Sequence, residues 1–187
     1  MSMPACDDSV VWTGVVLAGG RSARMGRDKA MLNWHGAPLI AHMYGLLEQA
    51  GAVKVVVSGR YPAYAGIEDL RPGLGPLGGL LSVAASLPDS ELVVVPVDMP
   101  RLTPAYLHPL LAASSRCVTF DGYVLPMRLR LDGESRAALC RLGTAPQMQR
   151  SLRALQHTLA VTRLPVPADT VGFDNCNTPE QWRAINA

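Results

Sequence analysis

The chain has 187 residues, of which 49% are apolar and 17% are charged, and its formal net charge is +2. This composition is typical of a compact globular protein, and the length suits one domain with a substantial core. The small charge argues against nucleic acid or a membrane surface as a partner, and no run approaches the roughly 20 apolar residues of a membrane span.

The first eleven residues are predicted to form a flexible leader ahead of the first strand, within a single domain that spans residues 1–187. They lack the basic and then apolar pattern of a secretion signal. The cysteines have no paired spacing, which argues against a zinc site or a disulfide framework and is typical of thiols in the cytoplasm. They are Cys6, Cys117, Cys140 and Cys176.

Strand and helix patterns alternate through the first half of the chain. Continuous apolar runs predict buried strands, and apolar stripes bounded by proline or glycine predict helices. The predicted strands span residues 13–17, 53–57, 67–70 and 92–97, and the predicted helices span 38–50 and 77–87, with another that begins at Pro104. This alternation implies parallel pairing with right-handed crossovers, and therefore an α/β fold.

The second half is less regular. Asp121-Gly122 predicts a tight hairpin between strands over 118–120 and 123–125. The other predicted elements are helices over about 135–142 and 147–157 and a strand over 159–164. A last helix has a clear start, because Thr178 and Gln181 have the spacing of a capping box around a proline.

The segment after the first strand is glycine-rich and cationic. Residues 17–29 read Leu-Ala-Gly-Gly-Arg-Ser-Ala-Arg-Met-Gly-Arg-Asp-Lys. Gly19 and Gly20 allow backbone N–H groups to approach an anion closely, and Arg24 and Lys29 add positive charge. The spacing matches neither a P-loop nor the dinucleotide-binding fingerprint. The loop therefore predicts a polyphosphate site of another kind.

Two carboxylates follow predicted strands further along the chain. Pro96 cannot donate to a ladder, so Asp98 falls where its strand leaves the sheet. Ligands of parallel sheets collect at the carboxyl ends of the strands, which lets Asp98, Asp69 and the glycine-rich loop converge on one crevice. One aspartate is sufficient for Mg²⁺, which takes its other ligands from water and phosphate. A turn-capping role for Asp98 stays open at this point.

The motifs together resemble those of the molybdenum cofactor guanylyltransferases, the MobA-type nucleotidyltransferases. The resemblance extends over almost the whole chain, in the family's order. Besides the loop at 17–29, it includes Val57-Ser58-Gly59-Arg60, Glu68-Asp69, Gly75-Pro76-Leu77-Gly78-Gly79, Pro96-Val97-Asp98-Met99-Pro100 and Asn175-Cys176-Asn177-Thr178-Pro179-Glu180.

This resemblance implies a three-layer α/β/α sandwich around a mostly parallel sheet, and a cytoplasmic enzyme that uses Mg²⁺. The enzyme would transfer GMP from GTP to the terminal phosphate of the molybdenum–molybdopterin cofactor and release pyrophosphate. Proteins that mature molybdoenzymes are candidate partners. The implied GTP-binding residues are Leu17, Ala18, Gly19, Gly20, Lys29, Ser58, Asp69 and Asp98. The implied catalytic residues are Lys29, Asp98 and Arg24, with Asp98 as the metal ligand and Asn177 on the cofactor side of the cleft.

Two features depart from the family pattern and two other functions stay open. Ser58-Gly59 stands where the family commonly has asparagines, and Leu125-Pro126 stands where some relatives have His-Pro. The nearest alternative is a cytidylyltransferase that acts on molybdopterin or another phosphorylated acceptor, although such relatives tend to have Leu-Ala-Ala-Gly in the first loop. The second alternative is a non-catalytic nucleotide-binding accessory protein.

Overall fold

A computed structural model describes residues 10–19, 28–176 and 178–185. Its strands are β1 (Trp12–Leu17), β2 (Asn33–Trp34), β3 (Ala37–Pro38), β4 (Lys54–Ser58), β5 (Gly66–Ile67), β6 (Ser90–Pro96), β7 (Cys117–Phe120), β8 (Met127–Leu131) and β9 (Thr162–Leu164). Its α-helices are α1 (Leu39–Gln49), α2 (Gly75–Ser86), α3 (Pro104–Ala112), α4 (Gly133–Thr144), α5 (Leu152–Thr158) and α6 (Pro179–Ile185). Most of the predicted leader lies outside the described residues.

The described residues form a seven-stranded sheet in the order β5-β4-β1-β6-β8-β7-β9. β1 pairs in parallel with β4 and β6, whereas β8 runs antiparallel to both of its neighbours. A second, two-stranded sheet is the hairpin of β2 and β3. The large sheet is therefore mostly parallel, with one reversed strand between its two halves.

Helices cover both faces of this sheet. Side chains of α1 and α3 pack in one buried apolar cluster, and side chains of α2, α4 and α5 pack in another. Val16 of β1 belongs to the first cluster, whereas Val15 and Leu17 belong to the second. A strand with both faces buried has a continuous apolar run, which is why β1 could be recognised in the sequence. The predicted three-layer sandwich is confirmed.

The predicted tight hairpin at Asp121-Gly122 is wrong. The antiparallel partner of β7 begins only at Met127, so a longer loop over 121–126 joins the two strands. The buried Thr119 hydroxyl donates to the carbonyl of Pro126 at 2.9 Å, and the Gln156 amide donates to the carbonyl of Val124 at 2.8 Å. These carbonyls are thus bonded to side chains and not to a neighbouring strand.

The single helix predicted over 147–157 is also wrong in extent. A 3-10 turn occupies Gln147–Gln149, and α5 begins after Ser151, whose hydroxyl accepts the N–H of Ala154 at 3.1 Å. That side chain supplies a helix N-cap in the middle of the predicted run. The capping box predicted for the last helix is confirmed, with reciprocal bonds between Thr178 and Gln181 of 3.1 and 3.2 Å.

The register of the central strands brings several strand ends to one edge. Leu17 at the end of β1 pairs with Ser58 of β4 on one side and with Pro96 of β6 on the other. Because β8 is reversed, the loop over 121–126 lies at this same edge, beyond β6. Among the described residues, no helix has the length and apolar character that crossing a membrane requires.

Candidate active site

Gly19, Ser58 and Asp69 lie together where β1 and β4 end. A Cβ atom at position 19 would lie 3.3 Å from Ser58 Oγ and 3.8 Å from Asp69 Oδ2. Position 79 in α2 is more restricted, because a Cβ atom there would lie only 2.1 Å from Ser58 Oγ. Glycine at 79 therefore allows the helix to pack against the end of β4, and the backbone around Gly19 remains close to the two polar side chains.

Two oxygens in this cluster are buried and have no hydrogen-bond partner within the described part of the chain. They are Ser58 Oγ and Asp69 Oδ1. Burial also raises the pKa of the Asp69 carboxyl. A buried acceptor without a partner is destabilising, and native structures contain few of them. The chemistry of these oxygens fits the N–H and O–H donors of a nucleoside.

Lys29 and Asp98 meet at the same edge, one strand further along. Lys29 Nζ lies 3.5 Å from Asp98 Oδ2, and the two side chains are 18% and 21% exposed. Lys29 begins a 3-10 turn, and Asp98 follows β6. The pair places a positive and a negative group side by side at the rim of the sheet, where both are accessible to a ligand.

The backbone of Asp98 is fixed by the segment that precedes α6. The Cys176 N–H donates to the Asp98 carbonyl at 2.9 Å, and the Val97 N–H donates to the Leu17 carbonyl at 3.1 Å. Burial, and then the charge of Asp98, raises the pKa of Cys176 to about 11. The Cys176 thiol therefore stays protonated at neutral pH and is a poor nucleophile.

Tyr61 connects the segment after β4 to the turn that holds Lys29. Its hydroxyl donates to both carboxylate oxygens of Asp28, at 3.0 and 2.8 Å. Asp28 Oδ1 also accepts the N–H of Ala30 at 3.0 Å and so caps the turn. Burial, followed by the hydrogen bond and charge of Asp28, raises the pKa of Tyr61, which keeps the phenol a donor. No local sequence pattern indicates this role of Tyr61, because its partner lies 33 residues away.

A cavity of about 400 Å³ opens on the other side of Asp98, away from Ser58. Its walls include Asp98, Met99, Gly122, Tyr123, Leu125 and Asn175. The predicted residues Leu17 and Ala18 lie at the end of β1, the first buried and the second partly exposed. Gly20, Arg24 and Asn177 lie outside the described residues.

The donor set fits a magnesium ion that is shared with a substrate. Within the residues that the structure describes, no group of three or more His, Cys, Asp or Glu side chains is arranged to hold a metal alone. Asp98 offers one accessible carboxylate. Mg²⁺ commonly takes one or two protein carboxylates and completes its octahedron with phosphate oxygens and water, so this single ligand is compatible with a magnesium nucleotide.

Comparison with known proteins gives consistent matches. The MobA-like NTP transferase domain family matches residues 14–125. A molybdenum cofactor guanylyltransferase from Xanthomonas euvesicatoria pv. vesicatoria is 60% identical over 93% of this chain and 94% of its own length. A protein of the same name from Pseudomonas aeruginosa is 32% identical over 89% of this chain and 90% of its own.

A solved structure shares the fold. Molybdopterin-guanine dinucleotide biosynthesis protein A from Archaeoglobus fulgidus superposes with a TM-score of 0.72 at 22% identity, and the match covers 93% of this chain and 96% of the other.

We expect Tyr61→Phe to weaken binding of GTP, the ligand predicted from the sequence, by roughly 3–10-fold. The substitution removes a hydrogen bond to Asp28 while it retains the ring, and a typical hydrogen bond contributes about 0.5–1.5 kcal/mol. Calorimetry with Mg²⁺ measures the change. Tyr64→Phe is the matched control, because the Tyr64 ring packs on Tyr44 and not against Asp28. Equal GTP affinity in the two variants would show that Tyr61 does not position this turn.

We expect Asp69→Asn to raise the Tm at pH 7. Because the folded-state pKa of Asp69 is raised, this group's contribution to stability is complete below the unfolded-state pKa and is lost as the pH rises through the folded-state pKa. The neutral amide avoids that loss, with a gain of about 1 kcal/mol or ~2–4 °C in Tm. The difference in Tm between Asp69→Asn and the wild type should shrink as the pH falls below the ordinary carboxyl pKa of 3.8. A pH-independent difference would contradict this account, and the exposed neighbour Glu68→Gln serves as the control.

Proposed function

The chain belongs to the MobA-like NTP transferase family, and we propose that it is a molybdenum cofactor guanylyltransferase. It transfers GMP from GTP to the terminal phosphate of the molybdenum–molybdopterin cofactor, and the products are pyrophosphate and molybdopterin guanine dinucleotide. The observation that carries the proposal is the meeting of Lys29 and Asp98 at 3.5 Å, at the edge where β1 and β6 end. The 60% identity to an enzyme of that name supports it.

Lys29 binds the triphosphate in this proposal. Its ammonium is a compact point charge suited to phosphate oxygens, and Asp98 holds it at the crevice before the nucleotide arrives. Such preorganised charge stabilises the negative charge that develops on the leaving pyrophosphate. We propose that Arg24 and the amide of Gly20, which belong to the same loop, add further donors to these phosphates.

Asp98 would hold Mg²⁺ when the nucleotide is bound. When bound, the ion neutralises phosphate charge and helps to orient the α-phosphate. The accessible Asp98 carboxylate suits this role because Mg²⁺ keeps most of its ligands from water and substrate. The backbone bond from Cys176 fixes the residue that carries this carboxylate.

The transfer step needs no general base. A phosphate monoester has a second pKa near 6, so the acceptor is mostly a dianion at neutral pH. One of its oxygens attacks the α-phosphorus of GTP and forms a new P–O bond, while the bond from the α-phosphorus to the α,β-bridging oxygen breaks. Pyrophosphate leaves with that electron pair, and no proton has to be removed from the nucleophile. The protein therefore acts by positioning and by electrostatic stabilisation.

Ser58 and Asp69 are assigned to the nucleoside. Their buried oxygens, which have no partner among the described residues, are acceptors. Guanine presents N–H donors at N1 and N2, and ribose presents hydroxyl groups, so a bound guanosine satisfies these atoms. Ser58 takes a position where the family commonly has asparagine, and its hydroxyl provides an acceptor at the end of β4. Asn177 is proposed to lie on the cofactor side of the cleft.

We also propose the domain organisation, the cellular location and the partners of the protein. We propose that residues 1–187 belong to one domain, and the packing of both apolar clusters on the same sheet supports this. The reaction takes place in the cytoplasm, where GTP is available. Its product is a cofactor that must be delivered to an apoenzyme, so proteins that mature molybdoenzymes are its expected partners.

Binding of GTP and CTP in the presence of Mg²⁺ tests the nucleotide assignment. We expect calorimetry to give GTP binding at least about tenfold tighter than CTP binding, because only guanine presents the N1 and N2 donors together. Pyrophosphate release with the molybdenum–molybdopterin acceptor then tests turnover. Tighter CTP binding would make the protein a cytidylyltransferase, and GTP binding without pyrophosphate release would indicate an accessory protein.

We expect Lys29→Ala and Asp98→Ala each to lower kcat on the order of 10²–10³-fold, the loss typical of a preorganised electrostatic group. The Tm should change by less than ~4 °C, because a partly exposed ion pair contributes at most about 1 kcal/mol. Lys54→Ala, which removes an exposed lysine at the opposite end of β4, is the control for loss of charge alone. A large fall in Tm with little change in kcat would assign the pair a structural role.

A further inference from the structure

We propose that the cavity beside Asp98 binds the ring system of the acceptor, with the face of Tyr123 as a stacking platform for a planar heteroaromatic group. The inference rests on the proposed function, since it concerns the acceptor of that reaction. It assigns Tyr123 as a residue that determines acceptor specificity.

The position of the cavity fits the acceptor. The groups assigned to the nucleoside, Ser58 and Asp69, lie over β4 and β5, and the Lys29–Asp98 pair follows across β1 and β6. The cavity lies past β6, under the loop over 121–126. A nucleophile has to approach the α-phosphorus from the side opposite the leaving pyrophosphate. A pocket that shares Asp98 with the nucleotide site is suitably placed for it.

Tyr123 is held as a rigid aromatic surface. Its ring stacks on Phe173, with centroids 4.2 Å apart and an interplanar angle of 27°. Phe173 is buried, and it contacts Tyr106 and Phe120 edge-on at centroid distances of 5.2 and 5.3 Å. Tyr123 itself is partly exposed and lines the cavity. Three further rings therefore fix the orientation of a ring that remains accessible to a ligand.

Buried side chains also fix the loop that carries Tyr123. The fully buried Thr119 donates its hydroxyl to Pro126 and, at 3.3 Å, to the Tyr123 carbonyl. The buried Gln156 donates to the Val124 carbonyl. These side chains hold the loop backbone without a ligand, so the pocket requires little reorganisation on binding, and preorganised sites bind more tightly for this reason.

The size and lining of the cavity indicate the ligand class. A volume of about 400 Å³ lies within the range of small-molecule sites. Met99 and Leu125 are apolar, Tyr123 is aromatic, and the side-chain amide of Asn175 can both donate to and accept from ring nitrogens and oxygens. A pterin with a phosphomonoester side chain matches this combination, with its phosphate toward Lys29 and Asp98. A phosphorylated sugar lacks the planar ring that would use Tyr123.

The test measures pterin binding apart from turnover. A fluorescent 6-hydroxymethylpterin monophosphate is titrated with the protein in the presence of Mg²⁺ and α,β-methylene-GTP, and quenching reports binding. We expect Tyr123→Leu to weaken binding about tenfold, the size of effect that loss of a stacking aromatic has on a bound base. Tyr123→Phe retains the ring and should bind as the wild type does. GTP affinity should stay within about twofold in both variants.

Two controls keep the result interpretable. Tyr44→Leu removes a partly exposed tyrosine of α1, outside the cavity, and should leave pterin binding unchanged. If Tyr123→Leu does not fold, intermolecular NOEs between the pterin C7 proton and the aromatic ring at position 123, compared in the wild type and Tyr123→Phe, provide the second measurement. Absence of these NOEs, or pterin binding that is equal in the wild type and Tyr123→Leu, would overturn the assignment.

Failure of this inference is distinguishable from failure of the proposed function. Wild-type turnover of GTP with the molybdenum–molybdopterin acceptor, together with pterin binding that does not depend on Tyr123, overturns the platform and leaves the function intact. Tyr123-dependent pterin binding without pyrophosphate release supports the platform and contradicts the function. Preference for a phosphorylated sugar over the pterin overturns the platform.

Discussion

The pairing of Leu17 with both Ser58 and Pro96 is the constraint on which the site depends. This register aligns the carboxyl ends of three parallel strands, so segments that are distant in sequence leave the sheet next to one another. Polar groups inside a sheet whose faces are both buried need hydrogen-bond partners within the protein, so groups that are available to a ligand lie where the strands end. The Lys29–Asp98 pair and the buried oxygens near Gly19 all lie along this short edge.

The buried polar atoms of the site reduce the stability of the unliganded protein, and they form a binding surface before a ligand arrives. Ser58 Oγ and Asp69 Oδ1 are buried and lack partners among the described residues, although hydrogen bonding would normally satisfy such atoms. Gly79 permits α2 to approach Ser58 closely and so encloses this region. The compensating stability comes from the two apolar clusters on either side of the sheet. A nucleoside that donates hydrogen bonds to these oxygens restores the stability that the unliganded protein loses by burying them.

Much of this architecture could be predicted from the sequence, because buried parallel strands and capped helices have local signals. β1 and β6 are continuous apolar runs, and the Thr178–Gln181 capping box fixes the start of α6. The loop over 121–126 could not be predicted, since its conformation depends on the Gln156 side chain, which bonds the Val124 carbonyl from 32 residues away. Tyr61 was missed for the same reason, because its bond to Asp28 joins segments that are remote in sequence. Local patterns do not encode such tertiary contacts.

The bond from the Cys176 amide to the Asp98 carbonyl has a consequence for biogenesis. A nascent chain held on the ribosome before residue 176 emerges already contains β1, β4 and β6, the strands whose carboxyl ends form this edge. It still lacks the contact that fixes the backbone of Asp98. The contact that fixes the Asp98 backbone therefore forms late, because a segment translated long after β1 supplies it.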